Sequence, residues 1–204
     1  MDPIFYEPSL GHGLAHDPFN AIVAPRPIGW IGTVDASGAS NLAPYSFFNA
    51  FNYRPPIVGF CSIGDKDTVA NAREVGEFSW SLATWDLRHA MNATAARLPR
   101  GVSEFAEAGL EAAPSRKIQP PRVAASPVSF ECRVTQIVQL VTHAGDSVPS
   151  WLVLGEVVGV HIDPRMLDDG VYQTARARPI TRGGGTSDYF VIDETARFEM
   201  PRPR

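Results

Sequence analysis

The 204-residue chain predicts an all-β dominated domain, an antiparallel barrel with short peripheral helices. Three observations predict it. Apolar runs with strand periodicity recur along the chain, about seven in all. Hairpin-type turns join most of them, and no strand–helix–strand repeat occurs that would build a parallel sheet. Helical patterns are few and short.

The first twenty residues carry Pro3, Pro8, Gly11, Gly13 and Pro18, so residues 1–20 read as an irregular arm. His12 and His16 are four apart, but the glycines around them oppose a helix that would bring them to one face. Ile28 to Val34 is a strand. Asp35-Ala36-Ser37-Gly38 is a turn, and Asn41 to Ala43 returns as the second arm of a hairpin. Ser46 to Asn52 is an aromatic strand, interrupted by Tyr53-Arg54-Pro55-Pro56 because proline cannot donate to a ladder. Ile57 to Ile63 is apolar enough to be buried on both faces.

Asp67-Thr68 opens a helix that runs to Val75 and stops at Gly76. Phe78 to Thr84 alternates strictly, as a half-buried strand does. Leu87 to Leu98 is a second helix, ended by Pro99 and Gly101, and Ser103 to Ala108 a third, ended by Gly109. The proline-rich stretch from Ala112 to Pro127, with basic Arg116-Lys117, reads as a surface loop. Val128 to Val141 and Trp151 to Ile162 are long strands joined through His143-Ala144-Gly145-Asp146. Asp163-Pro164 ends the second and can open a short helix. Beyond Arg182-Gly183-Gly184-Gly185, Tyr189 to Ile192 is a last strand. One domain over 21–192 and a polar tail over 193–204 are therefore expected.

Hydrophobic residues at 44% and charged residues at 20% are ordinary globular values. A net charge of −4 gives no reason to expect a nucleic-acid partner. No apolar run is long enough to span a membrane, and no leader pattern opens the chain, so a cytoplasmic protein is expected. Cys61 and Cys132 sit in apolar strand runs and read as reduced thiols.

Chemistry concentrates in Ser62-Ile63-Gly64-Asp65-Lys66-Asp67-Thr68. There a strand turns through a glycine into a helix N-terminus, a geometry that offers N–H groups and a dipole to an anion. Lys66 would add charge and Thr68 a hydroxyl. A second reading has Asp65 or Asp67 capping the helix and Lys66 solvated. Neither a Walker nor a Rossmann loop is present. In the aromatic run, Phe47 and Phe48 suit core packing. Asn41, Ser46 and Asn49 are polar groups there that need partners in backbone or ligand. No triad, nucleophile elbow or metal spacing is found, and each of the five histidines stands alone in the sequence. Among them His161 follows a strand that could bring it to a barrel rim.

These segments resemble the flavin reductase-like family of FMN-binding split barrels. The resemblance rests on R-P-I-G-W-I-G-T-V-D (26–35), N-L-A-P-Y-S-F-F-N (41–49), P-P-I-V-G-F (55–60) and K-D-T-x-x-N (66–71). A-M-N-A-T (90–94), E-F-x-x-A-G-L (104–110), P-S-R-K-I-x-P-P-R-V (114–123) and L-G-E-V-V-G-V-H-I-D (154–163) continue it. The resemblance implies a homodimer of split barrels, each holding FMN. It implies that Asn41, Ser46, Phe47, Phe48 and Asn49 line the ring and ribityl chain, and that Ser62, Lys66, Asp67 and Thr68 hold the phosphate. Asn92 and Arg182 are further cofactor candidates.

The expected activity is NAD(P)H-dependent flavin reduction, with NADH or NADPH as transient donor and a monooxygenase or other protein as acceptor. A flavoredoxin-like electron carrier with tightly bound FMN, or a flavin-binding protein without turnover, are the alternatives. In such reductases the cofactor, not a protein acid or base, carries the chemistry. One departure stands out. Where the family carries G-D-H, this chain has Gly145-Asp146-Ser147, which leaves His161 or His143 to serve the nicotinamide side.

Overall fold

Every residue of the strand Gly29–Val34 is buried, and that strand has core on both faces. In the computed structural model, which describes residues 3–99 and 101–203, Ile31 points into the barrel. Its neighbour Trp30 points outward beneath a second hydrophobic layer. The strands in chain order begin with β1 (Arg26–Pro27), β2 (Gly29–Val34), β3 (Ser40–Tyr45), β4 (Phe48–Tyr53), β5 (Pro56–Ile63) and β6 (Glu77–Ser81). The short β7 (Ala112–Ala113) and β8 (Arg122–Val123) precede the long β9 (Val128–Val141) and β10 (Ser147–Ile162). The chain closes with β11 (Leu167–Asp168), β12 (Val171–Tyr172), β13 (Ile180–Arg182) and β14 (Tyr189–Val191). Between them lie α1 (Phe19–Ile22), α2 (Asp67–Val75), α3 (Arg88–Ala93) and α4 (Glu104–Glu107).

One antiparallel sheet has the order β3-β2-β6-β9-β10-β5-β4. Its two end strands, β3 and β4, are consecutive in the chain and joined by Ser46-Phe47. The N–H of Cys61 on β5 bonds the Phe47 carbonyl at that corner, 2.8 Å away. The sheet therefore curls until its edges meet, which is a split barrel. Its interior holds Ile31, Tyr45, Phe48, Val58, Phe60, Phe78, Trp80, Cys132 and Val153. Phe48 stacks on Trp80 across the interior, centroids 5.6 Å apart. The outer layer, with Trp30, Leu42, Met91, Phe105 and Ile180, is closed by α3, α4 and β13.

The helix expected over 67–75 forms, and Gly76 ends it at φ 75°. Asp163 caps a short 3-10 helix, Pro164–Met166, as the sequence allows. Both cysteines are free. Among the described residues no cluster of His, Cys, Asp and Glu could hold a metal, and no helix is long and apolar enough to cross a membrane.

Five expectations need correction. The strand expected over 78–84 to be half-buried ends at Ser81 and is buried from Phe78 to Ser81. Its polar face is covered too: Ser79 donates to the Pro121 carbonyl and Ser81 accepts from the Val123 N–H. The helix expected over 87–98 covers only Arg88–Ala93. Thr94 is drawn inward, donating to the Met91 carbonyl and accepting from Trp30 Nε1, and the following N–H groups reach only three residues back. The stretch 112–127 is no plain surface loop, because β7 pairs β8 and both Ile118 and Val123 are buried. The aromatic strand starts at Phe48, since Ser46 and Phe47 form the corner between edges. The arm is not wholly irregular: Phe19–Ile22 is helical, with Asp17 accepting from the Phe19 N–H.

Candidate flavin site

The corner between β3 and β4 is held from outside by Arg26. That guanidinium is nearly buried and donates to the backbone carbonyls of Asn20, Val23, Ser46 and Gly183. It also lies 5.5 Å from the Phe47 ring centroid. A long cation with five donors in a planar fork suits such a set of acceptors. A groove of about 450 Å³ opens beside it, with Phe47, Phe48, Asn49, Cys61 and Leu152 on the barrel side and Ile22 and Val23 on the arm side. Asn49 Oδ1 accepts from Ala50 N–H, which leaves its amide free to donate. Burial pushes the Cys61 thiol up from its ordinary value, so it behaves as an apolar wall.

Strand β5 carries Cys61 in that groove and continues through Ser62 and Gly64 into α2. Gly64, at φ 86°, makes the turn. Lys66 is the N-cap residue and its side chain caps nothing. No acceptor among the described residues meets the N–H groups of Asp67 and Thr68, so the positive end of α2 stands uncapped. The alternative reading, an aspartate cap, is not what forms: Asp67 occupies the first helical turn and Asp65 pairs with Arg73 at 3.4 Å.

Behind the turn lies a polar cluster. Asn41 Nδ2 donates to Thr68 Oγ1 at 3.0 Å and to Thr33 Oγ1 at 3.2 Å, and Asn71 Nδ2 also donates to Thr33. Tyr45 Oη is buried with no hydrogen bond of good geometry among the described residues, its polar neighbours being Thr68 and Ser62. Burial raises the Tyr45 phenol above its ordinary value, so it stays a neutral donor. A buried donor without an acceptor, beside two hydroxyls and an open helix start, is what an oxyanion would complete.

The remaining candidates lie apart. Ser46 contributes its carbonyl to Arg26. Asn92 is exposed and lines a separate 270 Å³ pocket with Trp85, Arg88 and His89. Arg182 spends its guanidinium on the carbonyls of Gly184, Gly185, Thr186 and Asp188, which ties up its own glycine loop. His161 bonds buried Glu131 at the far end of β10, nine residues or close to 30 Å of strand from Leu152 in the groove. Ser147, in the place of the G-D-H histidine, begins β10 beyond the hairpin turn. Arg26 escaped the reading of the sequence, because R-P at a strand start signals only a boundary. Its four acceptors are backbone groups that no side-chain pattern announces.

Fold and site together define a split-barrel protein with an apolar groove beside an uncapped helix N-terminus. The chain belongs to the flavin reductase like domain family, whose model matches residues 23–181. An uncharacterized protein of Deinococcus radiodurans is 36% identical over 195 residues, covering 89% of this chain and 82% of that one. Among solved structures, nitrilotriacetate monooxygenase component B from Bacillus cereus superposes with a TM-score of 0.87 at 29% identity, covering 98% of this chain and 100% of that one. The 2-nitrobenzoate 2-nitroreductase of Pseudomonas fluorescens gives 0.78 at 25%, covering 89% and 88%.

Proposed function

We propose that this chain binds FMN and works as an NAD(P)H-dependent flavin reductase, delivering reduced flavin or electrons to an acceptor such as a monooxygenase component. The observation that carries the reading is the continuity of groove and turn along β5, from Cys61 to Lys66. The chemistry of bound FMN is to accept a hydride and release electrons, so the protein needs no acid or base of its own. Phe47, Phe48 and Cys61 would flank the ring, and the free Asn49 amide would donate to its polar edge. Lys66, Thr68 and the open N-terminus of α2 would hold the phosphate, with Tyr45 and Ser62 behind it. Asn41 fixes the Thr68 hydroxyl in place.

The likeness to a monooxygenase component B supports a partner of that kind, and the family resemblance supports a homodimer. Gly145-Asp146-Ser147 favours a second reading, an electron carrier with tightly held FMN, because the histidine on the nicotinamide side is replaced. One anaerobic experiment tests both. Absorbance spectra of the FMN-loaded protein before and after NADH and NADPH should show the flavin bands bleach within the mixing time. Colourless protein that cannot be reconstituted with FMN overturns the flavin reading, whereas bands that persist with both nucleotides favour the carrier.

A further inference from the structure

Glu131 on β9 is fully buried, and its oxygens are all engaged. Oε1 accepts from Arg116 N–H at 2.8 Å and faces His161 Nε2 at 2.5 Å, and Oε2 accepts from Lys117 N–H at 2.6 Å. Burial alone would push this carboxyl up; the hydrogen bonds from His161 and from the two backbone N–H groups outweigh it and hold the carboxyl below its ordinary value. The carboxylate thus pins the Arg116-Lys117 loop onto the barrel and fixes the His161 ring by one nitrogen. The other nitrogen, Nδ1, has no partner among the described residues, on a ring that lines an open cleft of about 480 Å³.

The same cleft is lined by Arg116, Lys117 and Arg122. Asp163, at its rim, is already neutralised by Arg165 through a pair of bonds at 2.9 and 2.5 Å. Three cations therefore line the cleft against one buried carboxylate, which is hydrogen-bonded to loop and histidine. Arg122 reaches the Pro114 carbonyl through Nη2, but its buried Nε meets no acceptor among the described residues. An enclosed donor, in a concave site where cations outnumber the free carboxylates, suits an anionic ligand. Several charges spread around one cleft favour a polyanion over a single carboxylate.

We infer that the cleft between β8, β9 and the end of β10 is a second binding site, for a phosphoryl-bearing polyanion seated on Arg122, Lys117, Arg116 and His161. It shares no residue with the flavin groove, so its failure would leave the flavin reading standing.

The test uses the full-length protein loaded with FMN and inorganic pyrophosphate as probe. Histidine ring signals are followed by NMR at constant ionic strength, with the His161 signal assigned by its loss in His161→Gln. Pyrophosphate should shift the His161 signal saturably, orthophosphate more weakly, and acetate or added chloride not at all. Arg122→Gln and Lys117→Gln should each weaken the response about tenfold or more. The Lys117 side chain is exposed and makes no hydrogen bond among the described residues, so that variant should fold even if the Arg122 change does not. No saturable shift, an equal response to acetate, or a response undiminished in Lys117→Gln overturns the site.

Discussion

Arg26 Nε donates to the Ser46 carbonyl at 3.1 Å, and through that bond a residue before the first barrel strand sets the corner where the sheet closes. The same guanidinium serves Asn20, Val23 and Gly183, so arm, corner and glycine loop meet at one side chain. Arg26→Ala should cost about 2–4 kcal/mol, because four carbonyls, three of them in part-buried bonds and one in a buried bond, lose a charged donor together. Arg26→Lys should recover less than half of that, since an ammonium cannot reproduce the planar fork. Urea midpoints check the stability. FMN fluorescence quenching should show weaker binding in both variants, and wild-type affinity in Arg26→Ala would refute a role for this corner in the groove.

Gly29 carries a related constraint. A Cβ at this position would stand 2.8 Å from Phe48 Cδ2, and Phe48 is the ring stacked on Trp80. Gly29→Ala should therefore push Phe48 out of its stack, at about 1–3 kcal/mol. The readout is thermal unfolding followed by tryptophan fluorescence, with an altered native spectrum expected before the transition. An unchanged spectrum and midpoint would mean that the barrel absorbs the methyl elsewhere.

On the proposed reading, a change at Lys66 should separate phosphate recognition from ring recognition. Its side chain is exposed and caps nothing, so Lys66→Ala should leave stability within about 0.5 kcal/mol. FMN affinity should fall about tenfold or more, the worth of one charged contact to a phosphate. Riboflavin, which has the ring but no phosphate, should bind the variant and the parent alike. Equal losses for the two flavins would remove Lys66 from the phosphate site.

Glu131 makes a prediction about acid. Although burial raises it, its hydrogen bonds from His161, Arg116 N and Lys117 N hold the folded carboxyl below the unfolded value of 4.5. A depressed carboxyl contributes stability that is complete above that unfolded value and fades as pH falls through the lowered folded one. Glu131→Gln should lose about 2–3 kcal/mol near neutrality, less than a wholly enclosed pair because the cleft opens beside His161. Its stability should then fall less steeply than the parent's below about pH 4.5. Urea midpoints from pH 7 downward measure both, and parallel curves would show that Glu131 is not the group responsible.

Much of this architecture was legible because period and punctuation agree. Ile57 to Ile63, Gly76 and the long hairpin from Val128 to Ile162 each announce themselves locally. The turn from β5 into α2 was legible for the same reason, since strand end, glycine, lysine and helix start are contiguous. What stayed hidden depends on contacts distant in sequence. Thr94 ends α3 because Trp30, 64 residues away, needs its hydroxyl. Glu131 looks like one more polar residue on a strand until the loop at 116–117 and His161 fold onto it.

Cys61 offers a probe of the groove that does not depend on turnover. Its thiol is half-buried on the groove wall, and burial raises it, so alkylation at pH 8 should be slow but measurable. Cys132 is enclosed in the barrel, with its thiol pushed far above the ordinary value by burial and by Glu131, and should not react in the native state. Single-site labelling by a maleimide, read by intact mass, should therefore stop at one adduct. Saturating FMN should slow that adduct by at least about tenfold if the flavin ring covers the thiol, whereas free phosphate should not. A rate indifferent to FMN would place the ring elsewhere on the barrel, even if the protein purified yellow.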